Sequence, residues 1–249
     1  MEESAYIGGV VVCLGYLIVG VRLGLLSLKT RETPERLLAF TFLLWGTAYA
    51  CWQLPLVLKD ESLFSPLYFA GRILTDAGTI ASAFFLRLVF RPDSKFATGL
   101  VAAITVGLVL GVAGSGWMGD WESINPVGNP WWWVEWAAVT VSVVWIGVEG
   151  FHNYGTSRRR RRLGLCRSLD CSRYLLWGLT GAIWVIYELT YAIQQIEFQS
   201  TGVFTASLDA IASLLEVIPI ALIWFIFIPP AAYQRWIARF DPDPLLAED

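Results

Sequence analysis

The chain has 249 residues, of which 56% are hydrophobic and 16% are charged; its mean hydropathy is +0.56 and its formal net charge is −3. A soluble domain carries about a quarter charged residues, so this composition excludes an ordinary water-exposed surface. It also gives no reason to expect a nucleic-acid partner. A membrane span needs roughly 20 apolar residues, and seven such runs occupy more than half of the chain.

These apolar runs predict an all-α integral membrane protein, a bundle of seven transmembrane helices over residues 1–228. The acidic N-terminus lacks the basic start of a signal peptide, so we expect the first run to be retained as a span. Residues 231–240 have the pattern of a short amphipathic helix at the membrane interface. Residues 241–249 are expected to form a disordered acidic tail. The predicted spans lie near residues 5–27, 37–58, 66–90, 96–117, 131–153, 174–196 and 204–228.

Basic residues are confined to alternate loops. The first, third and fifth predicted loops and the C-terminal segment are basic, whereas the second has one lysine and the fourth and sixth have no basic residue. The positive-inside rule therefore predicts an outer N-terminus and a cytoplasmic C-terminus, in a plasma or inner membrane. The fifth loop holds an unbroken basic run that could contact anionic lipid headgroups or an acidic protein partner. This run consists of Arg158, Arg159, Arg160, Arg161 and Arg162.

A weak internal similarity relates the two ends of the bundle. Span three contains TDAGTIAS with Asp76, and span seven contains LDAIAS with Asp209. Both triplets of spans would start outside, so spans one to three and five to seven would form a parallel repeat, with span four as connector. Small residues spaced at Gly20-x3-Gly24 and Gly107-x3-Gly111 indicate where helices approach closely.

Ionisable side chains inside spans are costly and often functional. At helical spacing they form stripes on spans three, five, six and seven. If the stripes converge, they line a polar cavity that opens outward and serves as a path for a ligand or an ion. The candidate residues of this path are Arg72, Asp76, Tyr187, Glu188, Tyr191, Asp209 and Glu216.

A purely structural interpretation stands beside this one. Polar side chains can serve as contacts between helices, and Arg72 could simply neutralise Asp76 one turn away. Glu135, Glu149, Arg22 and Arg87 are near enough to an interface to reach water and are expected to have no further role. The carboxylates of Glu188, Asp209 and Glu216 cannot all be neutralised by one arginine, which favours a functional cavity.

Seven spans with an outer N-terminus resemble microbial rhodopsins in topology. That family binds retinal covalently through a lysine in its seventh span. The lysines of this chain, Lys29, Lys59 and Lys95, all lie in predicted loops, so covalent retinal is excluded. His152 is the single histidine, which leaves too few ligands for an ordinary zinc site within the membrane. No phosphate-binding loop or nucleophile elbow occurs. We therefore expect neither an enzyme nor a metal or organic cofactor.

Three hypotheses remain from the sequence. The first is a small transporter or an ion or proton pathway that uses the intramembrane carboxylates. The second is a ligand sensor that signals through a separate partner at its arginine-rich loop. The third is a structural subunit of a larger membrane complex, docked through its tryptophan-rich outer face.

Overall fold

The structure, a computed structural model, describes residues 2–118, 128–202 and 205–241, except for the side chains of residues 2–7, 56, 61, 206, 209 and 213. All regular secondary structure in these ranges is helical. Glu61–Leu63 forms a single 3₁₀ turn before the third helix. The helices are α1 Glu2–Thr30, α2 Thr33–Leu58, α3 Phe64–Phe90, α4 Lys95–Trp117, α5 Pro130–Arg162, α6 Ser168–Thr201, α7 Ala206–Phe227 and α8 Ala231–Ala238.

Helices α1 to α7 are each long and apolar enough to cross a membrane. Large apolar side chains such as Ile18, Phe40 and Leu214 are exposed on their outer faces, which suits contact with lipid rather than water. The chain is thus a multi-pass membrane protein, and the predicted number of spans is confirmed. The direction of the termini across the membrane stays a prediction.

The arginine run was wrongly placed in a loop. Helix α5 continues to Arg162, nine residues beyond the predicted end, so Arg158–Arg162 lie in its last turns. Arginine is a good helix former and is favoured near a helix C-terminus, where it meets the negative end of the helix dipole. The connection to α6 is correspondingly short, because Gly164, at φ +71°, turns the chain soon after α5 ends.

Six of the seven long helices pack as two triplets. Helices α1, α2 and α3 pack on one another in chain order, and so do α5, α6 and α7. The triplets meet where α1 contacts α7 and α3 contacts α5, while α4 packs on α3 and α5. The predicted parallel repeat would require this grouping, although the repeat itself stays a prediction.

The bundle has two chemically different ends. We call the end where α5 begins with Trp131–Trp133 the tryptophan end, and the end where α5 finishes with Arg158–Arg162 the arginine end. The half of the bundle towards the arginine end is closed by an apolar floor, in which Phe42 and Trp177 pack on Phe227 at ring-centroid distances of 6.4 and 5.9 Å. The apolar floor comprises Leu23, Leu38, Phe42, Phe85, Leu86, Trp177, Ile223 and Phe227.

Helices α5 and α6 touch through their backbones. A Cβ atom added at Gly150 would lie 2.2 Å from the backbone nitrogen of Gly178, and one added at Gly181 would lie 2.2 Å from that of Gly147. Glycine is therefore required at this contact, because any side chain would push the helices apart. The two helices form one closely packed pair.

Helix α8 lies where the interfacial helix was predicted and is tied to the start of α6. The hydroxyl of Tyr233 hydrogen-bonds that of Ser172, and the backbone N–H of Ser168 donates to Oδ1 of Asp241 at 2.5 Å. Ile237 of α8 is buried against the bundle, while Trp236 is exposed. The predicted acidic tail lies outside the described residues from 242 onwards.

Candidate functional site

A cavity of about 350 Å³ lies between the two triplets in the half of the bundle towards the tryptophan end. Every helix that lines it contributes residues only from its middle towards that end. Along α5 the lining runs from Trp132 to Val143, which is about 16 Å at 1.5 Å per residue. The aromatic members of the lining are Tyr16, Trp45, Tyr49, Trp52, Tyr68, Trp132, Trp136, Trp184, Tyr187 and Tyr191.

The charged members of the lining come from four helices. Among the described lining residues there are four carboxylates and a single cation: Arg72 and Asp76 on α3, Glu135 on α5, Glu188 on α6 and Glu216 on α7. Members of the stripes predicted on spans three, five, six and seven thus border one space. Their role as a ligand or ion path stays a prediction.

Arg72 pairs with Glu135 rather than with Asp76, so the structure does not show the alternative of a neutral pair within α3. Its Nε donates to Oε1 of Glu135 at 3.2 Å, and its Nη2 donates to Oε2 of Glu135 and to Oγ of Ser115. Side chains on a helix lean towards its N-terminus, which for α3 is the tryptophan end. This lean carries Arg72 towards the second turn of α5, and no salt bridge joins it to Asp76 among the described residues.

Asp76 is buried and lines the cavity. Within the described part of the chain, its Oδ2 has no hydrogen-bond partner. A buried polar atom without a partner costs free energy, and such an atom beside a cavity is a place for a ligand or for water. Thr75, its neighbour on α3, also lines the cavity with a hydroxyl that lacks a partner among the described residues.

Glu216 lies at the bottom of the cavity, in the middle of α7. It accepts a hydrogen bond from the hydroxyl of Tyr49 and forms another with Tyr187. These contacts join α7 to α2 and α6, so Glu216 links the two triplets just above the apolar floor. Tyrosine hydroxyls that donate to it stabilise the charged carboxylate.

Glu188 and Tyr191 form part of the α6 wall. Tyr191 stacks on Tyr187 with ring centroids 6.2 Å apart and lies 6.0 Å from the ring of Trp132. The indole N–H of Trp136 donates to the backbone oxygen of Glu188 at 3.2 Å. The neighbouring α5 helix thereby fixes the backbone that carries the Glu188 carboxylate.

Two further groups of predicted residues are Asp209 and the arginine run. The side chain of Asp209 lies outside the described residues, although its backbone belongs to α7. Arg158–Arg162 lie at the opposite end of α5. From Glu135 to Arg158 is 23 residues of continuous helix, about 35 Å.

A second ion pair, between an exposed arginine and a buried glutamate, lies at the arginine end. Nε of Arg91 donates to Oε1 of Glu149 at 2.8 Å, and the indole N–H of Trp145 donates to the same oxygen at 3.2 Å. Hydrogen bonding to Glu149, together with its negative charge, raises the pKa of Arg91. Glu149 is 4% exposed, so the expectation that it merely reaches water at an interface was wrong.

Sequence reasoning missed two parts of the site. Glu135 is assigned no role from the sequence because it lies near the predicted end of its span. In the structure it is the one charged partner of Arg72 among the described residues. The sequence offers the tryptophan-rich outer face only as a docking surface, whereas Trp132 and Trp136 line the cavity. Both side chains share a helix face with Val139 and Val143, and that spacing was the available signal.

Comparisons of this chain with protein-family models, with curated proteins and with solved structures found no match. The functional proposal therefore depends on the residues of the cavity.

Proposed function

We propose that this protein is a small membrane carrier that binds its ligand in the cavity between the two triplets. The observation that supports this most is the shared lining: Asp76 belongs to one triplet, whereas Glu188 and Glu216 belong to the other. Transporters built from two repeats bind their substrates between the repeats, near the middle of the membrane. With the N-terminus outside and the C-terminus in the cytoplasm, the cavity would open outward.

The apolar floor supports a carrier over an open channel. An ion crossing the bundle would meet Phe42, Trp177 and Phe227, which offer no polar group to replace its hydration shell. In a carrier such a barrier is opened on one side at a time by movement of one triplet against the other. The proposal therefore requires that a residue at the cavity becomes accessible from both sides of the membrane.

Thr75→Cys tests that requirement without knowledge of the ligand. Thr75 faces the cavity and its hydroxyl makes no hydrogen bond among the described residues, so the substitution removes little. The substitution is made in a variant without other cysteines, in which serine replaces Cys13, Cys51, Cys166 and Cys171. Right-side-out and inside-out vesicles are treated with a small, membrane-impermeant thiosulfonate, and the rate of labelling at residue 75 is measured in each.

A carrier is expected to be labelled from both sides, whereas labelling from one side alone contradicts the proposal. Thr140→Cys is the matched control, because its hydroxyl also lacks a partner among the described residues but does not line the cavity. Slow labelling of this variant from both sides shows that the reagent reports the cavity and not general loosening.

A ligand sensor is the second candidate, favoured by the continuity of α5. The same helix carries Glu135 at the cavity and Arg158–Arg162 at the far end, and its glycine contact with α6 makes the two helices one body. A ligand that moved Glu135 could therefore displace the arginine run. One-sided labelling of Thr75→Cys, with a partner retained by the arginine run, is the result expected of a sensor.

A further inference from the structure

We propose that the ligand of the cavity is an organic ammonium ion, an amine or quaternary ammonium compound of small size. The inference deepens the proposed function by naming the ligand class of the same cavity. It would hold equally if the cavity served a sensor.

The walls of the cavity provide the first argument. Ten aromatic side chains line it, and several are held in place by one another: Trp45 meets Trp184 edge to face at 5.3 Å, and Tyr49 meets Trp52 at 5.2 Å. Aromatic rings attract cations through their negative faces, and cages of such rings are the recurrent way of binding quaternary ammonium groups. An apolar cation gains from these walls both by this attraction and by burial of its methyl or methylene groups.

The charges provide the second argument. Arg72 is already engaged by both oxygens of Glu135, so the cavity offers no available cation to an anionic ligand among its described lining residues. Asp76, by contrast, has an oxygen without a partner and is 93% buried, at 7% exposure. A ligand N–H or an alkylated nitrogen beside this oxygen would supply the missing partner or countercharge.

Size and arrangement distinguish an organic cation from a metal ion. The volume of about 350 Å³ corresponds to roughly a dozen water molecules at about 30 Å³ each, which is far more than a bare ion needs. In the described part of the chain, no three His, Cys, Asp or Glu side chains are grouped as a metal site. A strongly hydrated metal ion would also gain little from the aromatic walls, since it would first have to lose its water.

Choline and its uncharged isostere 3,3-dimethylbutan-1-ol provide a direct test. Both are titrated into the purified full-length protein in lipid nanodiscs, with binding followed by calorimetry and by tryptophan fluorescence at constant ionic strength. Choline is expected to bind at least about tenfold more tightly than the isostere, a ratio that a single close charge interaction supplies. Tetramethylammonium should compete with choline, whereas acetate and sodium should not.

Asp76→Asn is expected to weaken choline binding by about tenfold or more while leaving the weak binding of the isostere unchanged. Asp170→Asn is the matched control, because Asp170 pairs with Arg167 and Arg173 at the arginine end. Trp52→Phe should retain most of the affinity and Trp52→Leu should lose it, which tests the aromatic wall if the Asp76 variant does not fold.

Several results would overturn the inference: equal affinity for choline and the isostere, competition by acetate, or no measurable binding of either ammonium probe to the wild-type protein. The two proposals fail separately. Ammonium binding with one-sided labelling of Thr75→Cys would refute the carrier and keep the ligand class. Labelling from both sides without ammonium binding would keep the carrier and refute the ligand class.

Discussion

At the scale of residues, the pair formed by Arg72 and Glu135 ties the lining of the cavity together. Both side chains are largely buried, at 9% and 12% exposure. Removing one partner of a buried pair leaves an uncompensated charge, which costs about 3–5 kcal/mol. Glu135→Gln should therefore lower the free energy of unfolding by about 3 kcal/mol, seen as a fall of roughly 10 °C in the midpoint of thermal unfolding in detergent.

The control for this prediction is Asp170→Asn, which alters two exposed surface pairs, with Arg167 and with Arg173. Such pairs contribute between about 0 and 1 kcal/mol, so its unfolding midpoint should stay close to that of the wild type. An equal fall for both variants would mean that Arg72 and Glu135 gain nothing from their burial, and the pair would then have no special part in the structure.

The sequence could not predict this pair. It shows that Arg72 and Asp76 are one turn apart, and neighbours on one helix are what a linear pattern identifies. The side chain of Arg72 instead leans towards the start of α3 and meets Glu135, which is 63 positions away along the chain. Partners on different helices follow from how the helices pack, which the spacing of residues along one helix does not show.

At the scale of elements, the contact between α5 and α6 depends on four glycines. At Gly150 a Cβ atom would lie 2.2 Å from the backbone of Gly178, whereas at Gly155 nothing lies within 4 Å. Gly150→Ala should destabilise the protein by about 3 kcal/mol, because the helices must separate to admit the methyl group. Gly155→Ala, on the same helix, should stabilise it by up to about 1 kcal/mol, because alanine is the better helix former.

Thermal unfolding and size-exclusion chromatography of the two variants check whether their stabilities change in opposite directions. Destabilisation by both would indicate that α5 resists any change of glycine. If neither variant were less stable than the wild type, the backbone contact between α5 and α6 would be refuted.

The sequence indicated close helix contacts but placed the important one elsewhere. Gly111, in the second of its predicted motifs, does approach α5, since a Cβ there would lie 2.5 Å from that of Glu135. The backbone contact between α5 and α6 is made by Gly147 and Gly150 on one helix and Gly178 and Gly181 on the other. Each pair is three positions apart, so it does not match the Gly-x3-Gly pattern, whose glycines are four positions apart. Hydrophobicity similarly fixed where the spans lie but not how far α5 and α6 continue beyond the apolar region.

At the scale of the whole molecule, composition and hydropathy were enough to predict seven membrane spans, because burial in lipid demands long apolar helices. The helical spacing of the polar stripes also indicated that they would line one cavity if they converged. What they did not reveal is the apolar floor, since residues such as Phe42 and Ile223 look no different in sequence from those that face lipid. The floor closes the cavity towards the arginine end.

Glu216 is the carboxylate nearest the floor among the described residues of the cavity, so it is the group most suited to pass a proton across when the floor opens. We expect liposomes that contain the protein and a pH-sensitive dye to acidify when a potassium-diffusion potential is imposed. Glu216→Gln should reduce this flux about tenfold or more, as expected for loss of an essential proton-transfer group. Asp209→Asn, chosen from the sequence alone, should reduce it as well.

Glu32→Gln is the control for these variants, because Glu32 is an exposed carboxylate between α1 and α2 and should not affect the flux. Flux that survives Glu216→Gln unchanged would remove Glu216 from the pathway, whereas flux lost in both carboxylate variants but kept in the control would identify the route. If no flux occurs across a pH series, with and without a sodium gradient, the protein does not conduct ions by itself. Transport would then require the ligand, and the same liposomes supplied with choline would show whether proton movement depends on an ammonium ion in the cavity.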